Sequence, residues 1–228
     1  MIKSISSLAM VRPIEPITLV EIESFALPFA IGILALLLIV GISLLIGGVV
    51  NKVMVRKGFE TNLTFNLIVS GILPVALFLR YGASPELIQG MFLMFILMYA
   101  SWSDITSHTV DDYLSVLIFA IGISSINTIG LASMLFGAFA VFVPQIVMSL
   151  IPKCKPIGGA DLKISTAIAF LLGWQRGIIA FVAGLFIAVI FMTLYNKFND
   201  KNEEADGTEK PFALVPFLSV AAMALYMF

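Results

Sequence analysis

The sequence has 228 residues, of which 60% are apolar and 12% charged, with a formal net charge of −1. So much apolar surface has no place in a soluble domain of this length, so the solvent is lipid. The near-neutral balance, with its basic residues in short clusters between apolar runs, excludes the broad cationic face that holds nucleic acid. The single cysteine, Cys154, closes no internal disulfide and says little about compartment.

Residues 1–24 carry Lys3 and Arg12 together with Glu15, Glu21 and Glu23, and the apolar stretch behind them is far longer than a signal-peptide core. They read as an uncleaved leader outside the spans. A bilayer core of about 30 Å needs roughly 20 apolar residues in helical form, because each backbone amide must be satisfied within its own segment. Such runs fall at residues 25–50, 63–80, 86–103, 113–129, 131–151, 177–196 and 212–228. A shorter one, residues 162–174, crosses only as a thin or tilted span shielded by its neighbours. The expected fold is all-α, a polytopic transmembrane helix bundle of about eight spans, seven if the short one does not cross. Residues 25–85 supply two additional N-terminal spans ahead of a membrane domain at residues 86–228.

Alternating the spans across the bilayer places Lys52, Arg56, Lys57, Lys153, Lys155, Lys163, Lys197, Lys201 and Lys210 on one face. The other face, leader aside, receives only Arg80 and Arg176, so the first face is read as cytosolic and both termini as external. Ala180, Gly184 and Ala188 recur every four residues, a spacing that lets two helices approach closely. Residues 200–210 are polar and turn-rich, hence a solvated loop. Trp102, Trp174 and the tyrosines read as interfacial anchors.

Ionisable groups at the edge of hydrocarbon are costly and are retained for a reason. Asp104 follows the run MFILMYASWS directly, and Asp161, in KPIGGADLKISTAIAF, opens an apolar helix after a glycine pair. A hairpin of two spans separates them, and an even number of crossings returns the chain to the same face. Two carboxylates brought within a few ångströms share one proton, so that one acts as base toward water and the other as acid toward a peptide bond. No covalent nucleophile is required and none is evident, since His108 and Cys154 have no triad partners and there is no nucleophile-elbow serine. A lone histidine supplies no metal site, and no cofactor is expected. Gly158 and Gly159 offer backbone angles closed to other residues and let a strand or helix come close to Asp161. The helix N-terminus and the partner carboxylate act on the charge of Asp161 in opposite senses, and sequence leaves open which prevails.

On these residues the chain resembles the prepilin peptidase family, including the archaeal preflagellin peptidases, membrane aspartyl proteases of the GxGD type. Members carry a first aspartate at the cytosolic end of a span and then a short Ile-Pro-Asn/Asp-x-Leu-like segment. SDITSHTVDDYLS is similar, with Asp104 at the catalytic position and Val110, Asp111, Asp112, Tyr113 and Leu114 as the trailing segment. The second motif, GGGD followed by lysine, corresponds to Gly158, Gly159, Ala160, Asp161, Leu162 and Lys163, and a closing pattern resembles Pro211-Phe212 and Pro216-Phe217. Ala160 replaces a glycine and Asp111 a proline, and neither change removes a catalytic group. The resemblance covers residues 86–228.

The resemblance implies removal of a short basic leader from type IV pilin-like or archaellin precursors, at the cytosolic face of the cell membrane. On this reading Asp111 and Asp112 are expected to attract the positive leader and Lys163 to help position the site; the rival reading makes these a solvated loop and a snorkelling lysine. The four-cysteine insert of many bacterial members is missing, so their N-methylation is not expected. Which precursor is cut, and in what oligomeric state, stays open. Two other functions compete: an intramembrane-cleaving protease of the presenilin or signal-peptide-peptidase kind, and a proton or cation transporter. The first places an aspartate within a span and carries a PAL motif, neither of which is obvious here. The second sets its coupling acids near the midplane, often between inverted repeats.

Overall fold

A computed structural model of the chain describes residues 19–150, 158–199 and 213–228. The expectations for residues 1–18, for the loop holding Cys154, for residues 200–210 and for Pro211-Phe212 fall outside them. The described residues form eight helices and no strand: α1 (Leu19–Arg56), α2 (Leu63–Tyr81), α3 (Pro85–Ser107), α4 (Asp112–Ser124), α5 (Ile126–Ile129), α6 (Leu131–Leu150), α7 (Gly159–Asn199) and α8 (Val215–Met227). Five stretches are long and apolar enough to cross a membrane: Ala30–Arg56, Leu63–Tyr81, Pro85–Ser107, Leu131–Leu150 and Gly159–Tyr195. The fold is the all-α polytopic bundle that composition predicts.

Two compact units divide the chain, one ending at Leu38 and the other running from Ile39 to Phe228. In the first, Ile31, Ile33, Leu34, Leu37 and Leu38 are exposed, as side chains in contact with lipid are. The other seven helices belong to the second unit. There α1 ends in a Schellman turn: Gly58, at φ 85°, donates to Val55 O at 3.0 Å, and Phe59 N donates to Met54 O at 3.0 Å. Asn62 then opens α2, its side chain accepting from Phe65 N at 3.3 Å.

Beside the apolar contacts of Met54, Leu77 and Leu93, polar side chains join α1, α2 and α3 in this unit. Asn66, fully buried, donates from Nδ2 to Asn51 Oδ1 at 2.8 Å and accepts at Oδ1 from Trp102 Nε1 at 2.7 Å. Thr61 Oγ1 adds a second donor to Asn51 Oδ1 at 2.9 Å, and Ser43 Oγ donates to Ser70 O at 2.8 Å. Lipid offers no hydrophobic drive for helix association, so bonds of this kind hold a hairpin in place. Asn66→Ala strips partners from Asn51 and Trp102 at once. It is expected to cost about 1–3 kcal/mol, read as a lower unfolding midpoint of the purified protein in detergent; an unchanged midpoint would leave the hairpin held by packing alone.

Helix α3 is central, contacting α2, α4 and α8, and buries Leu93, Met94, Leu97 and Ala100. The expected span at residues 113–129 is broken into α4 and α5 at Ser125. The reason lies on α3: Gln89 Nε2 donates to Ile121 O at 2.9 Å and to Ser125 Oγ at 2.5 Å, drawing the last turn of α4 out of its helical pattern.

Helix α7 is a hairpin read as one helix, because Gly173 within it has φ 77° and ψ 179°. These angles are open essentially to glycine alone. A Cβ on Gly177 would lie 2.7 Å from the Cα of Ala169, so the two arms run back against each other at backbone distance. The first arm, residues 159–172, is the short span expected at 162–174, and its side chains from Ile164 to Leu172 are buried. The second arm packs on α8, where a Cβ on Gly184 would meet Leu218 at 2.8 Å and the rings of Phe191 and Phe217 sit 5.1 Å apart. The four-residue stripe of small side chains thus serves close helix approach, with Ala180 and Ala188 buried beside it.

Candidate active site

Asp104 lies in the last turn of α3, with 5% of its surface exposed. The helix stops four residues later because His108 takes left-handed angles (φ 49°, ψ 25°) and donates its N–H to Asp104 O at 3.0 Å. Ser103 Oγ donates to Thr109 O at 2.7 Å and Ser107 Oγ to Ser103 O at 2.7 Å, pinning the turn that carries the aspartate. The carboxylate itself is held from across the bundle, since Val215 N, at the start of α8, donates to Asp104 Oδ2 at 2.9 Å. Amides at a helix start have no intrahelical acceptor and carry the positive end of the dipole, so an anion there is stabilised.

Asp161 sits three residues into α7, where Gly158 O accepts from Leu162 N at 3.1 Å. Its Oδ1 is buried and has no hydrogen-bond partner among the described residues. The charge of Asp104 acts on it, so the two carboxyl groups, one at the end of α3 and one at the start of α7, lie within electrostatic reach of each other.

The glycine pair differs in detail from expectation. Gly159 opens the helix at ordinary angles. Gly158 contributes space instead: a Cβ there would stand 2.9 Å from Asp161 Oδ2. Gly159 has nothing within 4 Å of such a position, and Ala160 occupies the first turn of the helix without a need for special angles.

Around the aspartates the expected charged residues are present, already partnered. Asp111, at the entry to α4, lies 3.5 Å from Lys57 Nζ, and Asp112 is 2.6 Å from Lys163 Nζ. Lys57 also stands over the rings of Tyr99, at 5.3 Å, and Tyr113, at 5.8 Å. Tyr99 beside it, with Tyr113 and Asp111, holds the ammonium protonated above its ordinary range. The Lys163–Asp112 pair joins α7 to α4 just outside the aspartates, with 48% and 73% of the two side chains exposed. Water screens such a pair, so Lys163→Met is expected to change stability by less than about 1 kcal/mol, measured as the thermal midpoint in detergent. A drop several times larger would make the bridge a clamp on the site.

Sequence reasoning misses the Val215 amide, which no side-chain pattern announces, and Lys57, which enters it only as one of the basic residues on one face. His108 is exposed at the end of α3, near enough to act electrostatically on Asp104. Arg80 Nε donates to Met227 O at 2.9 Å and Arg176 Nη2 to Phe228 O at 3.3 Å, so both lie at the far end of α8 from the aspartates, as the alternation of spans predicts. Among the described residues no group of His, Cys, Asp and Glu is arranged to hold a metal ion.

With the two aspartates at one end of α3 and α7, the comparison with known families bears directly on them: residues 91–193 match the model of the type IV leader peptidase family. That segment, a little under half of the chain, is what is similar to the type IV leader peptidase family. It contains Asp104, Asp111, Asp112, Asp161 and Lys163, and it begins inside α3 and ends inside α7, so α1 and α2 lie ahead of it and α8 behind. The match supports a peptidase of the leader-cleaving type, on a chain whose helices include five stretches long and apolar enough to cross a membrane. No curated protein and no solved structure matches the chain.

Proposed function

We propose that this protein is an aspartyl endopeptidase of the cell membrane that cuts the short basic leader from type IV pilin-like or archaellin precursors at the cytosolic face. Asp104 and Asp161 are the catalytic pair, and residues 86–228 form the catalytic domain. What supports the reading most is the placement of two acids: a carboxylate tied to the Val215 amide acts electrostatically on a second one whose Oδ1 is bare among the described residues.

With one proton on the pair, the ionised carboxylate takes a proton from water as the oxygen adds to the scissile carbonyl carbon, and the protonated carboxyl hands its proton to the carbonyl oxygen. Collapse of the tetrahedral adduct breaks the C–N bond, a proton passes to the leaving amine, and the pair again holds one. Gly158 keeps room beside Asp161 for the substrate backbone. Lys57 and Lys163 hold Asp111 and Asp112 at the rim, where a basic leader competes with the lysines for the same carboxylates.

The test is an assay on membranes containing the full chain and a pilin-like precursor, with the new N-terminus sequenced. Cleavage just before the apolar helix supports the reading. Proton flux into liposomes with no proteolysis would favour a transporter, and cleavage within the apolar helix an intramembrane protease.

A further inference from the structure

At the aspartate end of the second unit, an apolar groove of about 700 Å³ opens between α2, α3 and α8. Its walls include Phe65 and Val69 from α2, Met94 and Met98 from α3, and Val220 and Met223 from α8. The groove extends on α3 from Met94 to Ile105 and on α8 from Pro216 to Met227. At 1.5 Å per residue each wall is roughly 16 Å long, about three helical turns. Ile105 follows Asp104 in sequence, and Pro216 follows Val215, whose amide binds that aspartate. One end of the groove is therefore built by the immediate neighbours of the residues that frame the candidate site.

We infer that this groove seats the apolar helix of the precursor, and that α2, outside the family-matched segment, forms the wall that selects among precursors. The inference rests on the leader-peptidase reading and deepens it. If the scissile bond lies just before an apolar helix, the first turn of that helix has to sit within a residue or two of the aspartates. The groove provides such a seat and leads away from the site along the bundle. A second cavity, of about 410 Å³ and lined by Tyr81, Glu86, Arg176 and Tyr226, lies at the opposite end and is polar, which suits it to neither the position nor the chemistry.

Size supports a partial seat. A three-turn helix of roughly 10 Å diameter fills about 1,300 Å³, close to twice the groove, so one flank docks and the other stays against lipid. The walls carry Met94, Met98, Met223 and Met227, whose unbranched thioether chains re-pack around differently shaped partners. Phe65, 54% exposed, stands edge-on to Trp102 with ring centroids 6.2 Å apart, at the mouth nearest the site. The polar bonds from Asn66 to Asn51 and Trp102 fix the α2 wall against α3, so the width of the groove is set by the hairpin that α2 belongs to.

The experiment uses the full chain in membranes with a pilin-like precursor that carries one cysteine in the second turn of its apolar helix. Val69→Cys and Val220→Cys are each expected to form a disulfide cross-link to it, whereas Val189→Cys, an exposed position on α7, is expected to form none. Ala224→Trp, which fills the groove, is expected to raise KM for the full precursor by at least about tenfold while leaving cleavage of a short leader peptide without the helix at the starting rate. Cleavage of the precursor by every variant at the original rate, or cross-linking equal at Val69, Val220 and Val189, would overturn the groove assignment and leave the peptidase reading intact. No cleavage by the unaltered protein would instead remove the reading on which it rests. Should Ala224→Trp fail to fold, the cysteine pairs decide alone.

Discussion

Asp161→Asn is expected to reduce precursor cleavage by at least about 10⁴-fold, and Asp104→Asn by a similar factor, with both proteins still folded in the membrane. The amide is isosteric, so packing at Gly158 and the bond from Val215 to the remaining side-chain oxygen are kept. What is lost is the ability to take and return a proton. Two residues that act on the same proton are not additive, so the double variant is expected to be no slower than either single one within error. Membranes bearing each variant, a labelled precursor and N-terminal sequencing of the product provide the measurement. Processing at the original rate with either aspartate replaced would sink the assignment of the pair.

The largest structural effect is expected at Gly173→Val. Valine there adopts angles that cost about 1–3 kcal/mol, and its Cβ meets Ile129 Cγ2 at 2.7 Å and Ser133 Oγ at 2.8 Å. Overpacking adds about as much again, for a total of roughly 4 kcal/mol. The neighbours have little room to retreat, because a Cβ on Gly137 would already stand 2.6 Å from Ala169 O and 2.8 Å from the carbonyl carbon of Gly173. The expected result is a protein that loses protease resistance in detergent and migrates as misfolded material. Gly159→Ala is the control: open space surrounds that Cβ and a helix start tolerates it, so folding and cleavage are expected to be unchanged. A folded, protease-resistant Gly173→Val would show that the turn does not depend on glycine.

Much of this architecture is legible in the chain because lipid imposes one rule on every span. Apolar runs near 20 residues long mark α2, α3 and α6 almost to their ends, and the short run at residues 162–174 followed by a second at 177–196 marks the two arms of α7. The aspartates stand out because charges at the hydrocarbon edge are few. Contacts carried by polar side chains over long separations are not legible in this way. Asn66 and Trp102 are 36 residues apart, Gln89 and Ser125 likewise, and Val215 lies 111 residues beyond Asp104. Periodicity reports which face of a helix is apolar and not which amide waits opposite it. The same limit explains why Trp102 reads as an anchor at the membrane surface when its indole N–H is spent on a buried asparagine.

Helix residues 159–172 reach roughly 21 Å at 1.5 Å per residue, short of a bilayer core of about 30 Å. From Ile164 to Leu172 their side chains are buried in protein. Asp161 is thus mounted on a strut that lipid does not touch along most of its length. Stretching or thinning the surrounding bilayer acts on the outer helices, which tilt to absorb the mismatch. The carboxyl at the tip of the strut is therefore expected to keep its depth relative to its neighbours when acyl-chain length or sterol content changes.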